Sequence, residues 1–177
     1  NDGWNINGAN LLQKLIVNST TLQKYTNNEI YSGIKTGYNE AFVLDKKTKD
    51  TIVNKDSKSS DIIKPLLRGR DVSKYITNFA EQYLIYAHTK VEIENYPAVI
   101  EHLEKYRIQL EKRAGKQEWW QLQSGGERNF DTPKIVYMEM QVKPSFALDE
   151  NNYAMNNKVF AYPKKDLFLL AYLNSKI

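Results

Sequence analysis

Two short segments concentrate side chains suited to holding an anion. Gly33-Ile34-Lys35-Thr36-Gly37-Tyr38-Asn39 sets a lysine, a threonine, a tyrosine and an asparagine on a glycine-flanked turn, and Ala41–Leu44 follows as an apolar run. The second segment, Ile62–Val72, is read as ending a helix with two arginines straddling a glycine, Arg68-Gly69-Arg70. Glycines let a phosphate approach the backbone near Lys35 and Thr36. Tyr38 and Asn39 either hydrogen-bond a base edge or phosphate, or, for Tyr38, pack at a strand end. Arginine presents a planar fork that fits guanine or phosphate. The alternative for Arg68 and Arg70 is a structural pair of salt bridges to Asp71 and a neighbour. Cationic and amide side chains on loops held by rigid elements are what a reader of a polyanion requires.

Later segments add to this set. Lys134 opens a strand after Pro133, where a phosphate contact is expected. Asn156-Asn157-Lys158 is a polar loop ahead of Val159. Asparagine amides read adenine bidentately but also make turns, so one of the pair is expected to turn the chain and the other to make contact. Trp119 and Trp120 are adjacent, so one is expected in the core and the other exposed or at an interface. Trp120 and Gln121 join the candidate contacts.

Catalytic patterns are absent. No Asn/Asp-Pro-Pro-Tyr/Phe tetrapeptide, GxGxxG or phosphate loop occurs. Asp45-Lys46-Lys47 and Asp56-Ser57-Lys58 have the acid-x-lysine spacing of some nuclease sites, without an upstream acidic partner on a strand. No catalytic residue and no metal ligand is assigned. A zinc site from His88, His102 and carboxylates is a minor alternative.

The chain has 177 residues, enough for one domain with a core. It has no cysteine, which excludes disulfides and thiolate metal sites and suits a reducing cytoplasm. Its formal charge of +4 permits nucleic-acid binding without requiring it. No apolar run approaches the roughly 20 residues of a membrane span, and no signal peptide opens the sequence.

The elements that must position these residues can be read coarsely. Leu11, Leu12, Leu15 and Ile16 predict a short helix over Ala9–Val17, followed by a polar lead-in. Ala41–Leu44 reads as a strand, Lys46–Lys49 as a charged turn, and Ser60–Leu67 as a helix capped by Ser60 and disturbed by Pro65. Tyr83–Ala87 reads as a strand. Pro97 starts a helix through about Arg113, with Glu101 and Lys105 as an outer-face pair and Gly115 as its stop. Lys116–Thr132 reads as an irregular loop, and Lys134–Met140, Ser145–Leu148 and Val159–Tyr162 as strands. Leu167–Ile177 closes as an apolar helix. The expected fold is α+β (mixed α/β): several short strands with at least two packed helices. Residues 1–32 form an N-terminal helix and lead-in, and residues 33–177 the main domain.

The two opening segments, with Tyr96-Pro97-Ala98-Val99-Ile100-Glu101-His102-Leu103, Trp119-Trp120-Gln121-Leu122, Pro133-Lys134-Ile135-Val136-Tyr137, Phe146-Ala147-Leu148-Asp149, Asn156–Phe160 and Leu170–Lys176, resemble in this order the TaqI-like C-terminal specificity domain. The resemblance covers nearly all of the chain from Gly33 onward. It implies a target-recognition domain of an adenine-N6 DNA methyltransferase or fused type II restriction–modification enzyme. It implies duplex DNA as partner, through Lys35, Thr36, Tyr38, Asn39, Arg68, Arg70, Trp120, Gln121, Lys134, Asn156, Asn157 and Lys158. It also implies that this chain alone is no enzyme and holds no cofactor. S-adenosylmethionine would belong to a methyltransferase domain upstream in the same polypeptide, in a bacterial or archaeal cytoplasm, serving phage defence. Asn1 is not a start methionine, and the chain is read as a piece of a larger protein. The rival expectation is a protein-interaction module of a phage-defence methyltransferase.

Overall fold

The structure is a computed structural model that describes residue 13, residues 16–17 and residues 19–175. Most of the helix expected over 9–17, and Lys176, lie outside the described residues. The chain divides into two compact units, 1–30 and 31–177. In the first, Thr21 caps a four-residue helix, α1 (Leu22–Tyr25), by accepting from the Lys24 N–H.

The second unit is mixed α+β, as its sequence predicts, and contains two four-stranded sheets. One sheet runs β1 (Tyr31–Ser32), β10 (Val159–Tyr162), β7 (Lys134–Met138), β8 (Phe146–Asp149), all antiparallel. The other runs β2 (Val43–Asp45), β6 (Gln82–Ile85), β3 (Ile63–Leu67), β9 (Ala154–Met155), its last pairing parallel. A small hairpin of β4 (Val72–Ser73) and β5 (Ile76–Thr77) packs against β8.

Several boundaries differ from the sequence reading, each for a local reason. The segment Asn39–Phe42 is a short helix, α2, with Val43–Asp45 as the strand. Asp45 then caps α3 (Lys46–Lys55) by accepting from the Thr48 N–H at 2.7 Å, so the expected charged turn is a helix start. The expected helix Ser60–Leu67 is instead a 3-10 turn, Ser57–Ile62, followed by β3. Pro65 has no N–H to donate inside a helix, and an extended strand tolerates it. The helix from Pro97 is broken at Lys105–Tyr106 into α4 (Pro97–Glu104) and α5 (Arg107–Glu111). Glu101 pairs with Lys55 of α3 at 2.7 Å rather than with Lys105. The closing helix, α6, spans Leu167–Leu173.

The core joins Phe42 of α2, Leu44 of β2, Leu66 and Leu67 of β3, Leu84 and Ile85 of β6, and Val99 and Leu103 of α4. Within the first sheet lies a fully buried ion pair. Lys134 Nζ meets Asp149 Oδ2 at 2.6 Å across the β7–β8 register and also donates to the Phe130 carbonyl at 2.9 Å. Asp149 in turn accepts the N–H groups of Asn151 and Tyr153. This corrects the expected phosphate contact at Lys134: its side chain has no exposure and is consumed by the fold.

Two variants test these buried polar groups. Lys134→Ala leaves Asp149 charged and unpaired in the interior, so urea denaturation should show a loss of about 3–5 kcal/mol. His102 is buried, and its Nε2 lies 3.0 Å from the Ala41 carbonyl, so the neutral Nε2–H tautomer is the one that fits. Burial, foremost, lowers its pKa below the ordinary 6.5. The folded state therefore prefers neutral His102, and its contribution is complete above about pH 6.5 and lost as pH falls through the folded pKa. His88 acts with the same sign, again through burial first. Urea midpoints should drop between about pH 7.5 and about pH 5, and less steeply in His102→Gln.

Candidate nucleic-acid interface

One face of the second sheet is built by strand alternation. Val43 of β2, Leu84 of β6 and Lys64 of β3 are cross-strand neighbours, as are Leu66 and Ala154. Side chains at every second position share a face, so Gln82, Leu84 and Tyr86 line up along one strand and Lys64, Leu66 and Arg68 along the next. At the Arg68 end of this face lies a recess of about 210 Å³. Thr36, Asn39, Arg68, Arg70, Gln82 and Asn156 edge it over a floor of Ile34, Leu66 and Leu84. An adjoining recess of about 410 Å³ shares Asn39, Arg68, Arg70 and Asn156 and adds Met138, Glu139, Met140 and Lys158.

A close backbone passage brings these distant residues together. Gly33 donates to the Val159 carbonyl at 2.8 Å, and Ile34 donates to the Met155 carbonyl at 2.7 Å. A Cβ at Gly33 would stand 2.3 Å from the Asn156 carbonyl oxygen and 2.4 Å from that of Met155, so only glycine fits. Thr36 and Asn39 are thereby laid beside Asn156. Arg113 fixes the turn from behind: its guanidinium donates to the carbonyls of Thr36 (2.6 Å), Trp119 (2.7 Å) and Leu110 (3.0 Å). Burial lowers its pKa.

The two candidate arginines divide sharply. Arg68 makes a two-pronged pair with Asp71, Nε to Oδ2 at 2.8 Å and the second nitrogen to Oδ1 at 2.9 Å. That hydrogen bonding raises its pKa. Asp71 is buried and also accepts the Arg68 backbone N–H, so Arg68 holds the turn Gly69–Asp71 in shape. This is the salt-bridge alternative for Arg68. Arg70 is exposed, and among the described residues it has no carboxylate or hydrogen-bond partner. Its charge is free for a ligand. Beside it, Thr36 Oγ1 donates to Asn39 Oδ1 at 2.7 Å, and the Asn39 amide nitrogen has no acceptor among the described residues.

The other candidates fall in several places. Asn156 is the turn former of its pair: its Oδ1 accepts the Lys158 N–H at 3.2 Å and its carbonyl accepts from Val159. It also edges both recesses, whereas Asn157 is exposed and edges neither. Lys158 reaches the second recess, with its ammonium 2.8 Å from Glu139. Lys35 is exposed outside the groove, its backbone bridged to Ser124. Tyr38 is half-buried, 6.0 Å from the Tyr106 ring. Trp119 and Trp120 are both half-buried against the core, with the Arg107 guanidinium 4.1 Å from the Trp119 ring centroid. In place of one core tryptophan and one exposed or at an interface, the two share a partial burial. Gln121 accepts from the Glu118 N–H and borders a separate recess of about 650 Å³ near His88. The sequence reading missed Gln82, because the strand was started one residue late, at Tyr83. It also missed Met140, Glu139 and Arg113.

Among the described residues, no helix is long and apolar enough to cross a membrane, and no three potential ligands gather for a metal ion.

Residues 64–177 match the TaqI-like C-terminal specificity domain, and the chain belongs to this family. The fold is shared with a solved structure, the type IIL restriction-modification enzyme MmeI in complex with DNA. The TM-score is 0.65 at 13% identity, over 83% of this chain and 20% of that one. This chain thus spans about one-fifth of the length of that enzyme. No curated protein matches the chain.

The arginines make a paired test. Arg68→Ala removes the guanidinium and leaves the buried Asp71 carboxylate only the backbone N–H of residue 68, and thermal or urea melts should show a loss of about 1.5–3 kcal/mol. Arg70→Ala should change stability by no more than about 0.5 kcal/mol, as for a surface position without partners.

Proposed function

We propose that this chain reads the base sequence of duplex DNA on behalf of a larger restriction–modification enzyme, and transfers no methyl group itself. The observation that carries this reading is the convergence of Thr36, Asn39, Arg70 and Asn156, from three separated stretches of sequence, on one groove where the Arg70 guanidinium has no partner among the described residues. A free guanidinium suits guanine O6 and N7 or a phosphate, and amides such as those of Asn39 and Gln82 suit the N6 and N7 edge of adenine. Membership of a specificity-domain family and a fold shared with an enzyme solved on DNA support the same reading.

In this reading the parent is an adenine-N6 DNA methyltransferase, with or without a fused endonuclease, working in phage defence in a bacterial or archaeal cytoplasm. The groove sets register and sequence, and the upstream domain takes the flipped adenine. S-adenosylmethionine would bind in that domain, since this sequence offers no glycine-rich strand-to-helix loop to hold it. Lys35, on the exposed turn beyond the groove, would grip a phosphate without reading sequence. A second reading, a protein-docking module, has one observation in its favour: Leu167, Phe168 and Tyr172 of α6 are all exposed.

Selection of bound duplexes from a random pool separates these readings. The chain should enrich a defined site. Asn39→Ala and Gln82→Ala should each relax preference at one base pair, by about 1–3 kcal/mol for a lost bidentate contact. Arg70→Ala should weaken binding outright. An unenriched pool at low salt would favour protein docking, and methyl transfer by the isolated chain would refute its non-catalytic role.

A further inference from the structure

We infer that the same sheet face carries a second DNA contact, a phosphodiester-binding recess formed by Lys64, Lys90 and Arg128. The inference rests on the duplex-DNA reading above, and it adds three residues outside the Arg70 groove.

Lys64 lies on β3 and Arg68 directly follows that strand in extended backbone, so the two, four residues apart, project from one face. At a rise of about 3.3 Å per residue their Cα positions are about 13 Å apart. The major groove of B-DNA is about 12 Å wide. A duplex whose bases face the Arg70 groove would therefore bring backbone phosphates within reach of the Lys64 end.

That end is a recess of about 210 Å³, which Lys64, Tyr86, Lys90, Arg128 and Ala154 help to line. Among the described residues, none of its three cations is paired with a carboxylate. Its wall is well held. The Tyr86 hydroxyl donates to the Arg128 carbonyl at 2.6 Å, and the Arg128 guanidinium stands 4.8 Å from the Tyr31 ring centroid. Burial, first, pushes the Tyr86 pKa up to about 12, so its hydroxyl stays a donor.

The charge balance identifies the class of ligand. Glu127 and Asp131 share the recess, with Glu127 Oε1 accepting the Thr89 hydroxyl at 2.8 Å. Burial and Lys90 lower the pKa of His88, which adds no charge at neutral pH. Three cations against two carboxylates leave a net charge of one positive. That suits one singly charged phosphodiester better than a nucleotide polyphosphate. Gly126 brings no side chain into the wall, where a Cβ would stand 2.6 Å from His88 Cβ.

The test measures binding of the chain to labelled duplexes of two sequences by fluorescence anisotropy, across a salt series. Lys64→Ala/Lys90→Ala/Arg128→Ala should weaken binding by the same factor on both duplexes. Its log–log salt slope should become shallower by about 0.9, the value for one phosphate. Lys90→Glu, a single change at an exposed residue, should shift the slope in the same direction and guards against misfolding of the triple variant. If the unmodified chain binds, and Arg70→Ala weakens it while both of these variants keep the original slope and affinity, the recess holds no phosphate and the inference fails alone. If the unmodified chain binds no duplex at low salt, the DNA reading fails and takes the inference with it.

Discussion

The groove depends on one close backbone passage. Residues Gly33 and Ile34 run against Met155 and Asn156 with a Gly33-to-Asn156 separation that no side chain at position 33 could share. This contact carries the chain from the edge of the first sheet, where β1 pairs with β10, to the edge of the second, where β9 pairs with β3. It therefore does two things at once. It joins the sheets, and it places the turn bearing Thr36 and Asn39 beside Asn156. The arginines come from the far end of β3 and the amide of Gln82 from the neighbouring strand. Without the passage the turn bearing Thr36 and Asn39 would not be laid beside Asn156.

What a cation does in this fold is decided by the carboxylate nearest to it. Lys134 and Asp149 face each other across β7 and β8 with no exposure, so their charges are spent internally. Arg68 is held by Asp71 and shapes the turn that presents Arg70. Arg70, two residues on, meets no carboxylate among the described residues. A buried pair of this kind offers little net stability over apolar packing, but losing one partner is expensive. Arg68 and Arg70 are therefore not equivalent, although both lie within three residues and have the same chemistry. The more rigidly Arg68 is tied, the better defined the position from which Arg70 acts.

Rigidity behind the groove comes from a residue far from it in sequence. Arg113 follows α5 and satisfies carbonyls of the Thr36 turn and of Trp119. Its charge is thereby used to fix backbone, which suits a site that must present donors at set positions. The exposed apolar side chains Met140 and Val142, on the loop between β7 and β8, contrast with this bracing. Met140 borders the Arg70 groove and gives it one apolar edge.

The sequence by itself determined the class of fold, the segments that hold the groove and the lack of a catalytic pattern. Those properties live in local signals: glycine-flanked turns, a proline opening α4, apolar runs, and amide and cationic clusters. Thr36, Asn39, Arg68, Arg70, Asn156 and Lys158 were all legible as candidates, because hydroxyl, amide and cationic side chains cluster there beside turns. Only the tertiary structure decided which of them meet. Lys134 reads as a surface cation until the β7–β8 register sets Asp149 opposite it. Arg68 and Arg70 are indistinguishable until Asp71 pairs with one. Ser60–Leu67 reads as a helix behind a Ser60 cap, but pairing with β6 and β9 makes Ile63–Leu67 a strand. Gln82 is an ordinary strand-edge residue until Arg70 and Asn156 arrive beside it. In each case the missing information is a long-range contact, and side-chain pairing across strands depends on register, which local sequence does not encode.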